Sequence, residues 1–254
     1  MKATFLGTGT SGGVPVIGCG CAVCRSADPR DNRLRSSMLI QTNSGKNIVI
    51  DAGPDFRYQM LRAKVETIEA LLITHGHRDH IGGLDDIRPF NFIQGKIVDV
   101  YCDATGEAMI REQYPYAFAQ TEYDYAPKMK FHRIQDVAFQ VAGTPVIPIE
   151  VMHHKLAVKG FRFGDFAYIT DAKTVEQKER DKLKGLKILV VNALRHTEHN
   201  AHFTLTEALQ FVADIRPEQA FFTHISHQLG KHEEVALMLP PNVYLAYDGL
   251  VLQH

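Results

Sequence analysis

The chain has no basic excess, no long apolar run and little cysteine. Its 254 residues hold Lys+Arg 28 against Asp+Glu 29, a formal net charge of −1. A protein that coats a polyanion needs a basic surplus or stripe, so this balance speaks against nucleic acid as the main partner. No stretch approaches the roughly 18 consecutive apolar residues of a membrane-spanning helix, so no membrane association is expected. The opening Met1-Lys2-Ala3-Thr4-Phe5-Leu6-Gly7 meets a glycine after one short apolar run, too soon for the apolar stretch of a secretion signal. Cysteines number four, and Cys19, Cys21 and Cys24 share one short segment. That pattern suits a metal clip in a reducing, cytoplasmic setting better than an extracellular disulfide framework. Linkers, low-complexity tracts and repeats are missing too, so residues 1–254 are expected to form one domain, and 45% hydrophobic residues exclude a disordered chain.

Histidine is what the sequence has in quantity, 13 residues, and neutral imidazole is a common metal ligand. These histidines fall among alternating elements. Short β-rich runs are predicted at Ala3–Leu6, Met38–Gln41, Asn47–Ile50, Ala70–Ile73, Ile97–Tyr101, Pro145–Val151, Phe166–Ile169, Ile188–Val191 and Gln219–Thr223. Asn43-Ser44-Gly45 between two of them reads as a hairpin turn. Helical patterns cover Asp55–Ala63, Ala104–Gln113, Val175–Leu183, Thr204–Ala213 and His232–Leu239, and Thr204-x-x-Glu207 has the spacing of a capping box. Strands interleaved with helices imply a layered α/β or α+β domain. Tyr114–Tyr125, with four Tyr, one Phe and one Pro, reads as a lid, a dimer interface or a satellite apolar cluster.

Thr74-His75-Gly76-His77-Arg78-Asp79-His80 follows the apolar run Ala70–Ile73. In extended backbone, residues two apart face the same way, so His75 and His77 can share one ion. Asp79 and His80 come where the chain turns toward a helix and can reach a second ion a few Å away. Imidazole suits zinc, and an added carboxylate admits manganese or iron. Gly18-Cys19-Gly20-Cys21-Ala22-Val23-Cys24 offers three thiols, one short of the four ligands of a structural zinc. Cys102, His199 and His227 are candidates for the fourth. Gly7-Thr8-Gly9-Thr10-Ser11-Gly12-Gly13 reads as a tight turn leading to the cysteine loop, since it lacks the Lys-Ser/Thr of a phosphate-binding P-loop. Arg33 and Arg35 precede a strand and read as solvated.

With these motifs the sequence resembles the metallo-β-lactamase superfamily. The resemblance implies a four-layer αββα sandwich, of α/β (α+β) class, with a dinuclear metal site at one edge of the sheets. It also supplies the remaining ligands: His153 in Val151-Met152-His153-His154, with His154 its neighbour and rival; Asp171 in Tyr168-Ile169-Thr170-Asp171; and His224 after Phe221–Thr223. Asp51 in Ile50-Asp51-Ala52-Gly53 matches the superfamily's early Asp-x-Gly element, which orients the ligand loop by hydrogen bonds rather than binding metal.

Within the superfamily the sequence is similar to the phosphoribosyl 1,2-cyclic phosphate phosphodiesterase branch, which has the same cysteine cluster. There the fourth ligand is a histidine three residues beyond the last catalytic one, a spacing that Thr223-His224-Ile225-Ser226-His227 repeats. The resemblance therefore implies two divalent ions, zinc or manganese, at His75, His77, Asp79, His80, His153, Asp171 and His224. It places a structural zinc at Cys19, Cys21, Cys24 and His227. A hydroxide bridging the two ions would cleave small phosphodiesters, cyclic ones included, with Asp79 at the reacting centre and His202 as general acid to the leaving group. The alternatives on the same metals are hydrolysis of carbon esters, thioesters or lactones, and nucleic-acid processing. His132, His154, His196, His199, His232 and His254 have no assigned role.

Overall fold

The computed structural model describes residues 1–119 and 125–253. Fourteen strands form two seven-stranded sheets. The first contains β1 (Lys2–Gly7), β2 (Ser37–Gln41), β3 (Asn47–Ile50), β4 (Ala70–Leu72), β5 (Val98–Cys102), β6 (Met129–Arg133) and, on its outer edge beside β1, β14 (Val251–Gln253). The second runs from β7 (Phe139–Val141) through β8 (Thr144–His153), β9 (Leu156–Phe163), β10 (Phe166–Tyr168), β11 (Ile188–Asn192) and β12 (Gln219–Thr223) to β13 (Val243–Leu245). The stretches β3 to β6 and β10 to β13 are parallel, and the pairs nearer the N-terminal edge of each sheet are antiparallel. The predicted hairpin is present: Gln41 pairs with Asn47 around Gly45, whose φ of 77° is easy only for glycine.

Period-two patterning builds the layers. Met38 and Ile40, Ile48 and Ile50, Ala70 and Leu72 face Phe166 and Tyr168, Ile188 and Val190, and Phe221 between the sheets. The intervening residues Leu39, Val49, Leu71 and Val100 face outward against α1 (Phe56–Ala63), α2 (Arg78–Ile81), α3 (Arg88–Gln94) and α4 (Ala104–Gln113). On the far side, Ala167, Leu189, Val191 and Phe222 pack against α6 (Leu205–Ile215) and α7 (His232–Ala236), with α5 (Gln177–Asp181) beside them. The order is helix, sheet, sheet, helix, the expected αββα sandwich. Both faces of the central strands are covered, which is why they read as continuous apolar runs.

Helix α6 shows how sequence sets an element here. Thr204 caps it: its hydroxyl accepts the Glu207 N–H at 3.2 Å while the Glu207 carboxylate accepts the Thr204 N–H at 2.8 Å, the predicted capping box. Leu205, Ala208, Phe211 and Val212 then fall on one buried stripe, each large side chain stabilising by about 1.5–3 kcal/mol. Phe211→Ala is the single change most damaging to it, at about 3–5 kcal/mol. Arg216 ends the helix in left-handed backbone.

Two expectations change. Arg33 is not solvated: it is 4% exposed, donating to the Thr8 hydroxyl, the Ala246 carbonyl and His232 Nδ1. Arg35 is half-buried and paired with Asp55 at 2.9 Å. In the aromatic segment, Tyr114, Ala117 and Phe118 join the outer core of the first sheet, and the Tyr114 hydroxyl donates to the Ile81 carbonyl at 2.8 Å; residues 120–124 of that segment lie outside the described residues. Among the described residues no helix is long and apolar enough to cross a membrane.

Candidate metal centre

Strand ends from both sheets meet along one edge. Asp51 follows β3, His75 lies three residues beyond β4, His153 closes β8, Asp171 lies three residues beyond β10, and His224 follows β12. Asp51, Asp171 and His224 all have positive φ, at 63°, 57° and 54°. Such backbone in a non-glycine residue costs of order 1–3 kcal/mol and persists only where packing dictates it. Gly53 and Gly83 let the chain close tightly here. A Cβ on Gly53 would sit 2.0 Å from the Asp79 carbonyl oxygen, and one on Gly83 would sit 2.1 Å from that of Gly53.

The imidazoles form a continuous row. Ring centroids of His75 lie 4.5 Å from His77, 4.2 Å from His80 and 5.8 Å from His153. His202 lies 4.5 Å from His153 and 4.7 Å from His224. Asp171 sits between the two ends: its Oδ2 is 3.3 Å from His80 Nε2 and 3.4 Å from His224 Nδ1, and its Oδ1 is 3.7 Å from His202 Nδ1. Asp79 Oδ2 is 3.2 Å from His80 Nε2. Three sets have ligand atoms all within 4.8 Å of one another: His75 with His80 and Asp171, Asp79 with His80 and His224, and His153 with Asp171 and His202.

Hydrogen bonds decide which nitrogen each ring offers. Thr74 Oγ1 donates to Asp51 Oδ2 at 2.9 Å, so it accepts from His75 Nδ1 at 3.0 Å. His80 Nδ1 donates to Asp51 Oδ2 at 2.7 Å, and His153 Nδ1 donates to the Ala201 carbonyl at 2.9 Å. In the neutral form of each ring the proton is held on Nδ1 and the lone pair is left on Nε2. The Nε2 atom of His75 is buried without a hydrogen-bond partner, an arrangement costly unless a cation takes its lone pair, and that of His80 faces the Asp79 and Asp171 carboxylates at 3.2 and 3.3 Å. The residues therefore fit divalent metal ions. Ser36 and Thr10 hydroxyls meet the two nitrogens of His224, each at 3.2 Å. His154 is exposed in the turn after β8, in left-handed backbone, which leaves the site to His153.

Charges follow from this crowding. Burial opposes ionisation of Asp171, yet His224 and His80 hold its carboxyl well below the ordinary range, and His80 does the same for Asp79 against the same opposition. Burial opposes protonation of His80, but Asp79, Asp171 and Asp51 together hold its pKa well above the ordinary value. His202 goes the other way: burial, then His224, lowers it to about 2.

The cysteines make a second cluster. The Sγ atoms of Cys19 and Cys21 each lie 3.4 Å from His227 Nδ1, and Cys19, Cys21, Cys24 and His227 place their ligand atoms within 4.8 Å of one another. Three thiols and one imidazole nitrogen this close are a donor set that a tetrahedral zinc ion, on bonds of roughly 2.0–2.3 Å, would fit. Cys102, by contrast, is buried on β5 in the outer core, and His199 lies beside His202, so His227 alone of the three candidates stands with the three thiols. The Cys24 N–H, then His227, lowers the Cys21 thiol to about 6, whereas burial raises Cys24 to about 11.

Two participants escaped the sequence reading. The Ala201 carbonyl is backbone and leaves no trace in residue identity. In the sequence His199 is a candidate only as a fourth ligand for the thiols and is otherwise without a role, but its ring centroid is 5.0 Å from that of His202; the spacing His199-x-x-His202 was the available signal.

The geometry agrees with comparisons to known proteins. A family described as "Beta-lactamase superfamily domain" matches residues 46–225. A solved structure of a new diphosphatase from the PhnP family is 41% identical, with a TM-score of 0.93, covering 100% of this chain and 97% of that one. The zinc-bound PqqB of Methylobacterium extorquens superposes with a TM-score of 0.83 over 100% of both chains at 20% identity, a likeness of fold alone. An octanoyltransferase of Porphyromonas gingivalis (strain ATCC BAA-308 / W83) is 39% identical over 252 residues, covering 98% of this chain and 51% of that protein; the chain spans about half that relative's length. With its double sheet and its strand-end row of histidines and aspartates, the chain belongs to the β-lactamase superfamily, in its metallo-β-lactamase fold.

Proposed function

We propose that this metallo-β-lactamase-fold chain is a metal-dependent hydrolase of small phosphodiesters, cyclic ones and diphosphates included. The observation that carries the reading is the set of Nδ1 hydrogen bonds that turns the lone pairs of His75, His80 and His153 onto Nε2 beside Asp171. The relative called a diphosphatase of the PhnP family, 41% identical, favours phosphorus over carbon esters. Octanoyltransferase names a protein about twice this length, and acyl transfer is not carried over from it.

His75, His77 and His153 would hold one divalent ion and Asp79, His80 and His224 the other, with Asp171 between them. When bound, such a pair of zinc or manganese ions lowers the pKa of water toward 7 and offsets charge growing on the phosphoryl oxygens. The chain's own groups do the rest. Asp51 and Thr74 fix the ring orientations, and the buried floor around Tyr168 and Thr170 excludes bulk water. His202 lies against both ligand sets and hands its proton to the oxygen that leaves phosphorus. Burial disfavours the charged ring of His202, and the negative charge of a substrate beside it would raise its pKa, the direction that a general acid needs. Cys19, Cys21, Cys24 and His227 would hold a structural zinc that braces the rim.

The test is a panel of bis-p-nitrophenyl phosphate, a ribose 1,2-cyclic phosphate, 2′,3′-cyclic nucleotides and an acyl thioester, assayed with manganese and with zinc. Turnover of the phosphodiesters and not of the thioester is expected, and the reverse would replace the reading with a carbon-ester hydrolase. Asp171→Ala should abolish turnover in a chain that still melts cooperatively.

A further inference from the structure

The row of imidazoles does not stop at His202. His199 stands one ring farther out, half-buried, and its Nδ1 accepts the Ala201 N–H at 3.1 Å. The Ala201 carbonyl fixes His153, so residue 201 sets a proposed ligand with one polar group and His199 with the other. With Nδ1 accepting, the neutral ring carries its proton on Nε2, and no group among the described residues takes that proton. The nearby Arg195 spends its guanidinium on the carbonyls of Thr197 and Glu198, at 3.2 and 2.7 Å, and on Gln228 Oε1 at 3.0 Å. Among the described residues no carboxylate pairs with it, so its charge is not neutralised locally. Burial is the main influence lowering the His199 pKa, and the charge of Arg195 is the next.

We infer that His199, with the charge of Arg195 behind it, is the subsite for an anionic leaving group, so that the preferred substrate is a diphosphate in which a second phosphoryl follows the scissile one. This rests on the phosphodiester reading. His202 touches both proposed ligand sets, so the leaving oxygen lies beside His202, and the next atoms of the leaving group extend toward His199. A carbon leaving group would displace water from this N–H and from the surroundings of Arg195 without replacing either interaction. A phosphoryl group accepts the Nε2 proton and lies in the field of Arg195, a charge-assisted pairing.

The experiment is calorimetric binding of AMP and of α,β-methylene-ADP, which differ by the second phosphoryl, to the metal-loaded protein and to His199→Ala and His199→Gln. The intact chain should bind α,β-methylene-ADP at least tenfold more tightly than AMP. His199→Ala should erase that preference and leave the AMP affinity within twofold, and His199→Gln, which keeps a donor, should restore part of it. In kinetics, His199→Ala should raise KM for a dinucleoside diphosphate at least tenfold more than it raises KM for bis-p-nitrophenyl phosphate, and any fall in kcat should be smaller than the rise in KM. Equal loss of kcat on both substrates would make His199 part of the proton path and overturn the subsite, as would AMP binding with no preference for the second phosphoryl. Failure of both nucleotides to bind would bring down the phosphodiester reading itself.

Discussion

Asp51 Oδ2 and His80 Nδ1 lie 2.7 Å apart, both side chains fully buried, and the other Asp51 oxygen accepts the Thr74 N–H at 2.8 Å. Every partner of the carboxylate is thus a donor. Asp51→Asn sets an amide NH2 against one of these donors and loosens the hold on His80 Nδ1. Metal affinity should fall 10- to 100-fold, read by competition with a chromophoric chelator. Unchanged affinity would make Asp51 a strand-end brace only.

The two clusters differ in access and ligand type, and metal content should show it. Elemental analysis is expected to approach three ions per chain, two leaving under mild chelation and one staying with the thiolates. One ion or fewer, with no gain on reconstitution, would contradict the dinuclear assignment.

Cys21→Ser removes one of four ligands from a loop remote in sequence from the chemistry. Thermal stability should drop by on the order of 5–10 °C, while the rate of the metal-reconstituted enzyme changes less than threefold. A large rate loss at unchanged stability would place the cysteines at the reaction.

His232 is 6% exposed, with Nδ1 3.3 Å from the Arg33 guanidinium; burial first, then Arg33, lowers its pKa to about 4. The unfolded chain takes up this proton below about 6.5, and the folded chain does so only near 4. Its contribution is therefore intact above 6.5 and is lost as pH falls between the two values, by about 2 kcal/mol allowing for partial solvation. His232→Gln keeps an acceptor for Arg33 and should flatten this part of the stability curve, measured by urea unfolding at pH 7 and 4.5 at equal metal content.

Elements with uniform character were legible in the sequence. The strands β3, β4, β11 and β12 are buried on both faces and announce themselves as apolar runs, and α6 carries its own cap. Strand β9 went unread because Lys159 and Arg162 interrupt its pattern. In the fold, the Lys159 ammonium is 2.7 Å from Glu150 on the neighbouring strand and 2.9 Å from Asp136, partners that only tertiary structure reveals. Helix α3 hid behind Pro89, which sits in its first turn, and behind Asn91, buried with its amide on the Lys96 and Lys128 carbonyls. Of the clustered residues, His75, His77, Asp79 and His80 were legible through their spacing, and His153, Asp171 and His224 only through the family resemblance. The tautomers were not, since they depend on Thr74, Asp51 and a carbonyl of residue 201.

His224 and His227 share the short loop after β12, stitched down where Ile225 N donates to the Thr8 carbonyl at 2.9 Å and Thr10 N donates to the Ile225 carbonyl at 3.1 Å. One backbone thus serves the dinuclear centre and the thiolate site. Metal at either proposed site would restrain the same few dihedral angles and so link the two thermodynamically. Whatever factor the zinc adds to affinity at His224, an ion at His224 must add equally to affinity among the cysteines. The chain would then fill its metals cooperatively across two unlike sites, and loss of the thiolate ion would be felt first as leakage from the catalytic pair.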